Sequence, residues 1–212
     1  MQTDCTYMQA STPLADKLAL LISVPTIRLD YREPAKTDIC ASDIIAAFNY
    51  LSYTYSSTNF VLVGWSFGGS PCFTVAAQEP ERVRGVATIA SQTINTSGIK
   101  ELNPRPLLLL HGADDLVLTS ACSETLYRQY GTGGEKELRL FEGDDHGLSR
   151  NAPEAECMLL VFITKALGLE ELLDPGTVEM AGKDFVESRE ERVREMEKGH
   201  DLERGESLNY DY

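Results

Sequence analysis

The run Gly64-Trp65-Ser66-Phe67-Gly68 sets one serine between two glycines, directly after the apolar stretch Phe60-Val61-Leu62-Val63. The small residues Gly69 and Ser70 follow. A strand that turns at once into a helix forces its turn residue into strained backbone, and side chains two positions either side would collide. Glycine is therefore expected to be needed at both 64 and 68. Such a turn lifts the Ser66 hydroxyl clear of the sheet, above the amides that open the next helix. The chemistry on offer is nucleophilic attack; the alternative is an ordinary turn serine.

A serine hydroxyl gives up its proton at neutral pH only to a base within hydrogen-bond reach. The chain carries three histidines, and His200 sits in a charged stretch away from any strand signal. His111 ends the apolar run 107–110 and precedes Gly112-Ala113-Asp114-Asp115. It reads as a structural residue at a strand end, too near Asp115 on one loop to act as the base. His146 lies in Glu142-Gly143-Asp144-Asp145-His146-Gly147, after the run 138–141. Loops at the C-terminal ends of parallel strands gather on one edge of a sheet. Ser66, Asp115 and His146 are expected to meet there, in the chain order Ser, Asp, His. Asp114 competes with Asp115 for the acid position. Asp144 and Asp145 read as solvated loop carboxylates, and Trp65 either lines an acyl pocket or packs behind the turn.

The elements that must hold these residues alternate between strand and helix signals, the mark of βαβ units and a mostly parallel sheet. Strands are expected at 26–29, 60–63, 83–89, 107–110 and 138–141. Pro13 behind Ser11 and Thr12 opens a first helix, and Thr37 is the expected cap of a second, with Cys40, Ile44, Phe48 and Leu51 on its apolar face. Further helices are expected at 69–77, 120–130 and 153–167.

Composition narrows the function classes. At 212 residues and 42% hydrophobic, the chain suits one domain with a tail and is not a disordered polymer. Its net charge is −14, and residues 170–212 hold 14 acidic and 6 basic side chains, so they supply −8 of it. An acidic surface without a basic stripe repels phosphate backbones, which argues against nucleic acid as a partner. No apolar run approaches the roughly 20 residues of a membrane span, and no secretory leader is visible. Five widely spaced cysteines without a CxxC pair suit reduced thiols, a cytoplasmic location and no metal site. They read as small buried hydrophobes.

Three motifs, GWSFG at 64–68, HG-x-x-D at 111–115 and DHG at 145–147, agree in order and strand context with the α/β-hydrolase family, which the chain resembles from about residue 13 to 168. The resemblance implies a three-layer α/β sandwich with a mostly parallel central sheet. It implies Ser66 as nucleophile, Asp115 as acid, His146 as base, and the Phe67 backbone N–H as one oxyanion donor. It implies a small-molecule acyl substrate, and no cofactor or metal is expected. Asp30-Tyr31-Arg32 resembles a family turn and reads as structural.

The chain departs from the family at its start. The family places two or three strands before the helix at Pro13, and one of them lies between the strands expected here at 26–29 and 60–63. Only about ten residues precede that helix, without a convincing strand, so residues 1–168 read as an N-terminally shortened α/β-hydrolase-like domain that lacks the loop carrying the second oxyanion donor. Residues 91–106 are too few for a cap domain, which leaves the site open. Residues 169–212 read as a separate acidic tail with an unknown protein partner. It is helical between Asp184 and Gly199, and its apolar residues are too sparse to join the core. The expected function is a serine hydrolase acting on an ester or thioester through an acyl-enzyme. The alternative is a catalytically impaired or dead α/β-hydrolase-like protein, either a truncated isoform or a binding protein.

Overall fold

The structure, a computed structural model, describes residues 11–183. Helices α1 (Ser11–Ile22) and α2 (Thr37–Tyr55) come first. Strand β1 (Phe60–Trp65) runs through a 3₁₀ turn at Ser66–Gly68 into α3 (Gly69–Gln78). Then follow β2 (Val83–Ile89), α4 (Ile99–Leu102), β3 (Leu107–Gly112), α5 (Ala121–Tyr130), β4 (Lys136–Phe141) and α6 (Ala152–Ala166). A 3₁₀ turn at Glu170–Leu172 leads to α7 (Pro175–Ala181). The four strands form one all-parallel sheet in the order β1-β2-β3-β4.

Helices cover both faces, so the three-layer expectation holds. On one face Phe48, Leu51, Phe73 and Val75 of α2 and α3 pack with Leu62, Val86, Leu109 and Leu126. On the other, Leu14 and Leu18 of α1 and Leu159 and Leu160 of α6 close over Ala87, Ile89, Leu108 and Leu110. The central strands are covered on both faces: every residue of β3 is buried, and in β2 only Arg84 is exposed. Edge strand β4 instead alternates, with Glu137 and Arg139 exposed.

Three expectations are corrected. Residues 26–29 form no strand, and Ile27 and Leu29 are exposed. Their residue types suit a strand, but they pair with none of the described strands, of which β1 is the first in the sheet. Thr37 does not cap α2: the N-cap residue is Lys36, without a side-chain cap bond, and the Thr37 hydroxyl turns to Ser70 instead. The stretch after Gly168, expected to stand apart, continues the body as far as it is described. Helix α7 lies against α1 and α6, with Ala181 fully buried. Lys17 of α1, itself fully buried, donates to Glu156 Oε2 of α6 at 2.6 Å and to the Ala181 carbonyl at 2.7 Å. One buried ammonium thus ties three helices. The helix expected between Asp184 and Gly199 lies outside the described residues, as do His200, Cys5 and the strand question at residues 1–10.

Candidate active site

Trp65, Ile89 and Leu110 sit in register across β1, β2 and β3, and Gly112 pairs with Phe141. The three motif loops therefore leave the sheet at one edge. Ser66 has φ 53°, in the left-handed region that a β-carbon disfavours. A non-glycine residue holds that conformation only where the surroundings over-determine it. Gly64 is one such constraint: a β-carbon there would sit 2.6 Å from the Gly68 carbonyl carbon. Gly68 is not the second. A β-carbon there would meet nothing nearer than Tyr31 Oη at 3.9 Å. The crowded neighbour is Gly69, whose β-carbon would lie 2.1 Å from Ser91 Oγ of the β2–α4 loop.

The side chains expected to be acid and base come together. His146 Nδ1 lies 2.7 Å from Asp115 Oδ2. A carboxylate only accepts, so Nδ1 carries the proton, and in the neutral ring Nε2 keeps its lone pair for a donor. Asp115 Oδ1 accepts from the Val117 and Leu118 amides at 2.7 and 2.9 Å. Burial pushes the Asp115 carboxyl up, but the hydrogen bonds from His146, Leu118 and Val117 outweigh it and hold the group below the usual aspartate range. Asp114 is exposed, and the His146 imidazole pairs with Asp115.

His111 is fully buried, with Nε2 2.9 Å from the Leu118 carbonyl and 3.1 Å from Asp115 Oδ2. Because both neighbours accept, Nε2 bears the proton and Nδ1 accepts from Ser123 Oγ at 2.7 Å. The residue is a brace for Asp115, in line with the structural role expected of it.

The His146 loop is anchored from below. Asp144, expected to be solvated, is buried, and its carboxylate accepts from the Asp145, Arg150 and Asn151 amides and from Asn151 Nδ2 at 2.9–3.1 Å. Asp145 binds the amides of Gly147 and Ser149. Gly112 lets this loop approach: a β-carbon would stand 2.3 Å from the Asp145 carbonyl oxygen and 2.5 Å from that of Asp144. Trp65 joins the loop to the serine turn. Its indole Nε1 donates to the His146 carbonyl at 3.0 Å, and the two rings lie 5.0 Å apart. Ser66 and His146 thus flank one tryptophan. A Ser66 Oγ to His146 Nε2 hydrogen bond is not among those the described residues form. Such bonds often tighten only when substrate is bound.

Sequence reasoning missed a closed hydrogen-bond ring behind the turn. Asn95 Nδ2 donates to Thr37 Oγ1 at 3.4 Å, the Thr37 and Ser70 hydroxyls lie 3.1 Å apart, and Ser70 Oγ donates to the Asn95 carbonyl at 3.0 Å. With Thr37 donating to Ser70, one proton order satisfies all three contacts. The ring fastens the start of α3 to the start of α2 and to the β2–α4 loop. Asn95 is held at φ 56°, a conformation asparagine tolerates better than most residues. Tyr31 packs edge-on to Phe67 at 6.4 Å, so the Asp30-Tyr31-Arg32 turn touches the residue after the serine. No spacing in the sequence signals either feature.

Among the described cysteines, Cys40 and Cys72 are buried as expected, and burial drives the Cys72 thiol up to about 12. Cys122 and Cys157 are only partly buried. No group of three or more metal-ligating side chains clusters among the described residues, and none of their helices is long and apolar enough to cross a membrane.

A parallel sheet with a left-handed serine at the first strand–helix turn, and an Asp–His pair on the loops beyond, defines the class. Residues 11–119 match the family model for the alpha/beta hydrolase fold, and the chain belongs to that family. Among solved structures, Est1E from Butyrivibrio proteoclasticus superposes with TM-score 0.68 at 16% identity, over 79% of this chain and 86% of that one. The esterase domain of a Rhodothermus marinus protein gives 0.58 at 20% identity, over 78% and 81%. An alpha-beta serine hydrolase homologue from Coxiella burnetii gives 0.54 at 20%, over 73% and 75%. At these identities the likeness is one of fold. No curated protein matches the sequence.

Proposed function

We propose that the chain is a serine hydrolase that cleaves a carboxylic ester or thioester through an acyl-enzyme. The observation that carries the reading is the 2.7 Å His146–Asp115 pair beside a serine held at positive φ. In the proposed reaction Ser66 Oγ attacks the acyl carbon while His146 Nε2 takes its proton. The tetrahedral oxyanion is met by the Phe67 amide, the first N–H of the turn beyond Ser66. His146 then protonates the leaving group, activates water, and returns the proton to Ser66 on deacylation. Asp115 keeps the imidazole in the Nδ1–H tautomer and offsets the charge of the imidazolium.

The test is labelling by a fluorophosphonate probe, with the Ser66→Ala variant as control. Labelling of the wild type and its loss in the variant are expected, because the hydroxyl adds nothing to packing. Equal labelling of both proteins overturns the assignment.

A second reading, an α/β-hydrolase-like protein with impaired catalysis that binds a partner, is favoured by two observations. The outer edge of β1 carries no strand among the described residues, and Ser66 is not hydrogen-bonded to His146. That reading predicts no labelling of the folded wild type.

A further inference from the structure

Most exposed apolar side chains on this molecule lie on helices or on the segment between α1 and α2, but three sit at the edge of the sheet that carries Ser66 and His146. Ile94, on the loop after β2, is 71% exposed; Leu116 and Val117, on the loop after β3, are 99% and 69% exposed. Because Trp65, Ile89 and Leu110 are in register, these loops leave the sheet one and two strand spacings from the serine turn, about 5 and 10 Å.

Their backbones are fixed. The Gln92 carboxamide grips the peptide groups of Ile94 on both sides: Oε1 accepts from the Ile94 amide, and Nε2 donates to the Ile94 carbonyl at 2.8 Å. Asp115 Oδ1 takes the Val117 and Leu118 amides, which makes Leu116 the tip of a tight turn whose side chain has nowhere to go but outward. A loop tip that needed only solubility would carry a polar residue there. Apolar side chains presented to water on immobilised backbone are the arrangement that binds apolar groups without paying again for loop ordering.

We propose that Ile94, Leu116 and Val117 form the binding surface for the apolar part of the substrate, so that the preferred substrates are esters bearing a medium alkyl or aryl group rather than short, charged or sugar-bearing ones. This rests on the hydrolase reading for its chemistry, but the surface can be tested without turnover. Trp65 is the single tryptophan of the chain and lies against His146, so its fluorescence reports occupancy beside the reacting residues.

The experiment titrates the full chain with 1-alkanols from ethanol to octanol, following Trp65 emission, and repeats the series on Leu116→Asn and Ile94→Asn. Both substitutions fall on exposed side chains and leave every hydrogen bond described above in place. In the wild type the half-saturating concentration should fall roughly 2-fold per added methylene, less than the roughly 4-fold of complete burial because an open surface covers one side of the chain. Each variant should flatten that dependence and raise the octanol value about 3- to 10-fold, with the short alkanols unchanged. Rates on p-nitrophenyl octanoate against p-nitrophenyl acetate should show the same loss for the longer ester alone. A flat alkanol series in the wild type, or a slope that neither variant alters, overturns the proposal. Length-dependent binding that both variants weaken, in a chain where Ser66 neither labels nor turns over, leaves the surface standing and removes the hydrolase.

Discussion

Replacing Asp115 by Asn changes one atom type and confronts the geometry with a donor where only an acceptor fits. The carboxylate takes two amides on Oδ1 and the His146 imidazole N–H on Oδ2 at 2.7 Å, with His111 Nε2 lying 3.1 Å from that same oxygen. If the Asn oxygen keeps the Val117 and Leu118 amides, its NH₂ points at both rings. His111 cannot yield, because its Nε2 proton already faces the Leu118 carbonyl and its Nδ1 accepts from Ser123. His146 must therefore move its proton to Nε2, and that nitrogen can no longer accept from Ser66. A wrong tautomer in such a triad lowers turnover by about 10⁴-fold, which corresponds to about 5.5 kcal/mol of barrier. The assay is the rate of Ser66 labelling and of p-nitrophenyl ester hydrolysis, with ¹⁵N-histidine spectra reporting the tautomer directly. Asp114→Asn, on an exposed side chain, should cost less than about 3-fold, within the small effects usual at the surface. A loss below 10-fold in Asp115→Asn, or an unchanged His146 Nδ1–H resonance, refutes the reasoning.

Gly112→Ala should push the His146 loop off Asp115, since the new methyl would stand 2.3 Å from the Asp145 carbonyl, and a misplacement of about 1 Å costs on the order of 10²-fold in labelling rate. Truncation after Leu173 removes the Ala181 carbonyl from the buried Lys17 ammonium, so melting should fall by roughly 3–10 °C, as expected for one to three kcal/mol in a chain of this size, whereas truncation after Lys183 should leave it intact. Ser70→Ala opens the Thr37–Ser70–Asn95 ring; a melting drop of about 2–4 °C with slower labelling is expected, and unchanged labelling would show that the ring does not hold the serine turn. Because Asp115 has a depressed folded pKa, its stabilisation is complete above the ordinary value of 3.8 and is lost as pH falls through the lower folded value. Urea melts should therefore show the wild type losing its advantage over Asp115→Asn as the pH is lowered below about 4.

The sheet could be read from the sequence because its central strands are buried on both faces. The run 107–110 is apolar without interruption, and in 83–89 only Arg84 is exposed, a pattern that suits a covered parallel strand. The residues Thr26-Ile27-Arg28-Leu29 also suit a strand by type, yet they form none and pair with none of the four described strands. Helix α7 was hidden for the opposite reason. Its apolar residues are few, and what fixes it is a polar bond, Lys17 to the Ala181 carbonyl, between residues 164 positions apart. Gly64 was legible as a packing necessity and Gly68 was misread as one, because the demand for a missing β-carbon comes from Ser91, a residue that no local pattern ties to the turn. The Asp115–His146 pairing was legible from order and strand context; the ring behind the serine turn draws on two helix starts and a loop and leaves no spacing to see.

Asp115 serves both halves of the site with separate oxygens. Oδ2 accepts from His146, the base of the proposed reaction, while Oδ1 folds the following turn and sets Leu116 at its tip. The buried Asp115 side chain lets both tasks persist under solvent that freely reaches Leu116, 99% exposed one residue away. The His146 partner and the apolar tip therefore share one anchor. A change that loosens the carboxylate disturbs recognition together with chemistry, whereas a change at the Leu116 side chain alters recognition alone. Variation in substrate preference should accordingly arise at 94, 116 and 117, where side chains carry no hydrogen bond, and should leave Asp115, His111 and Gly112 fixed.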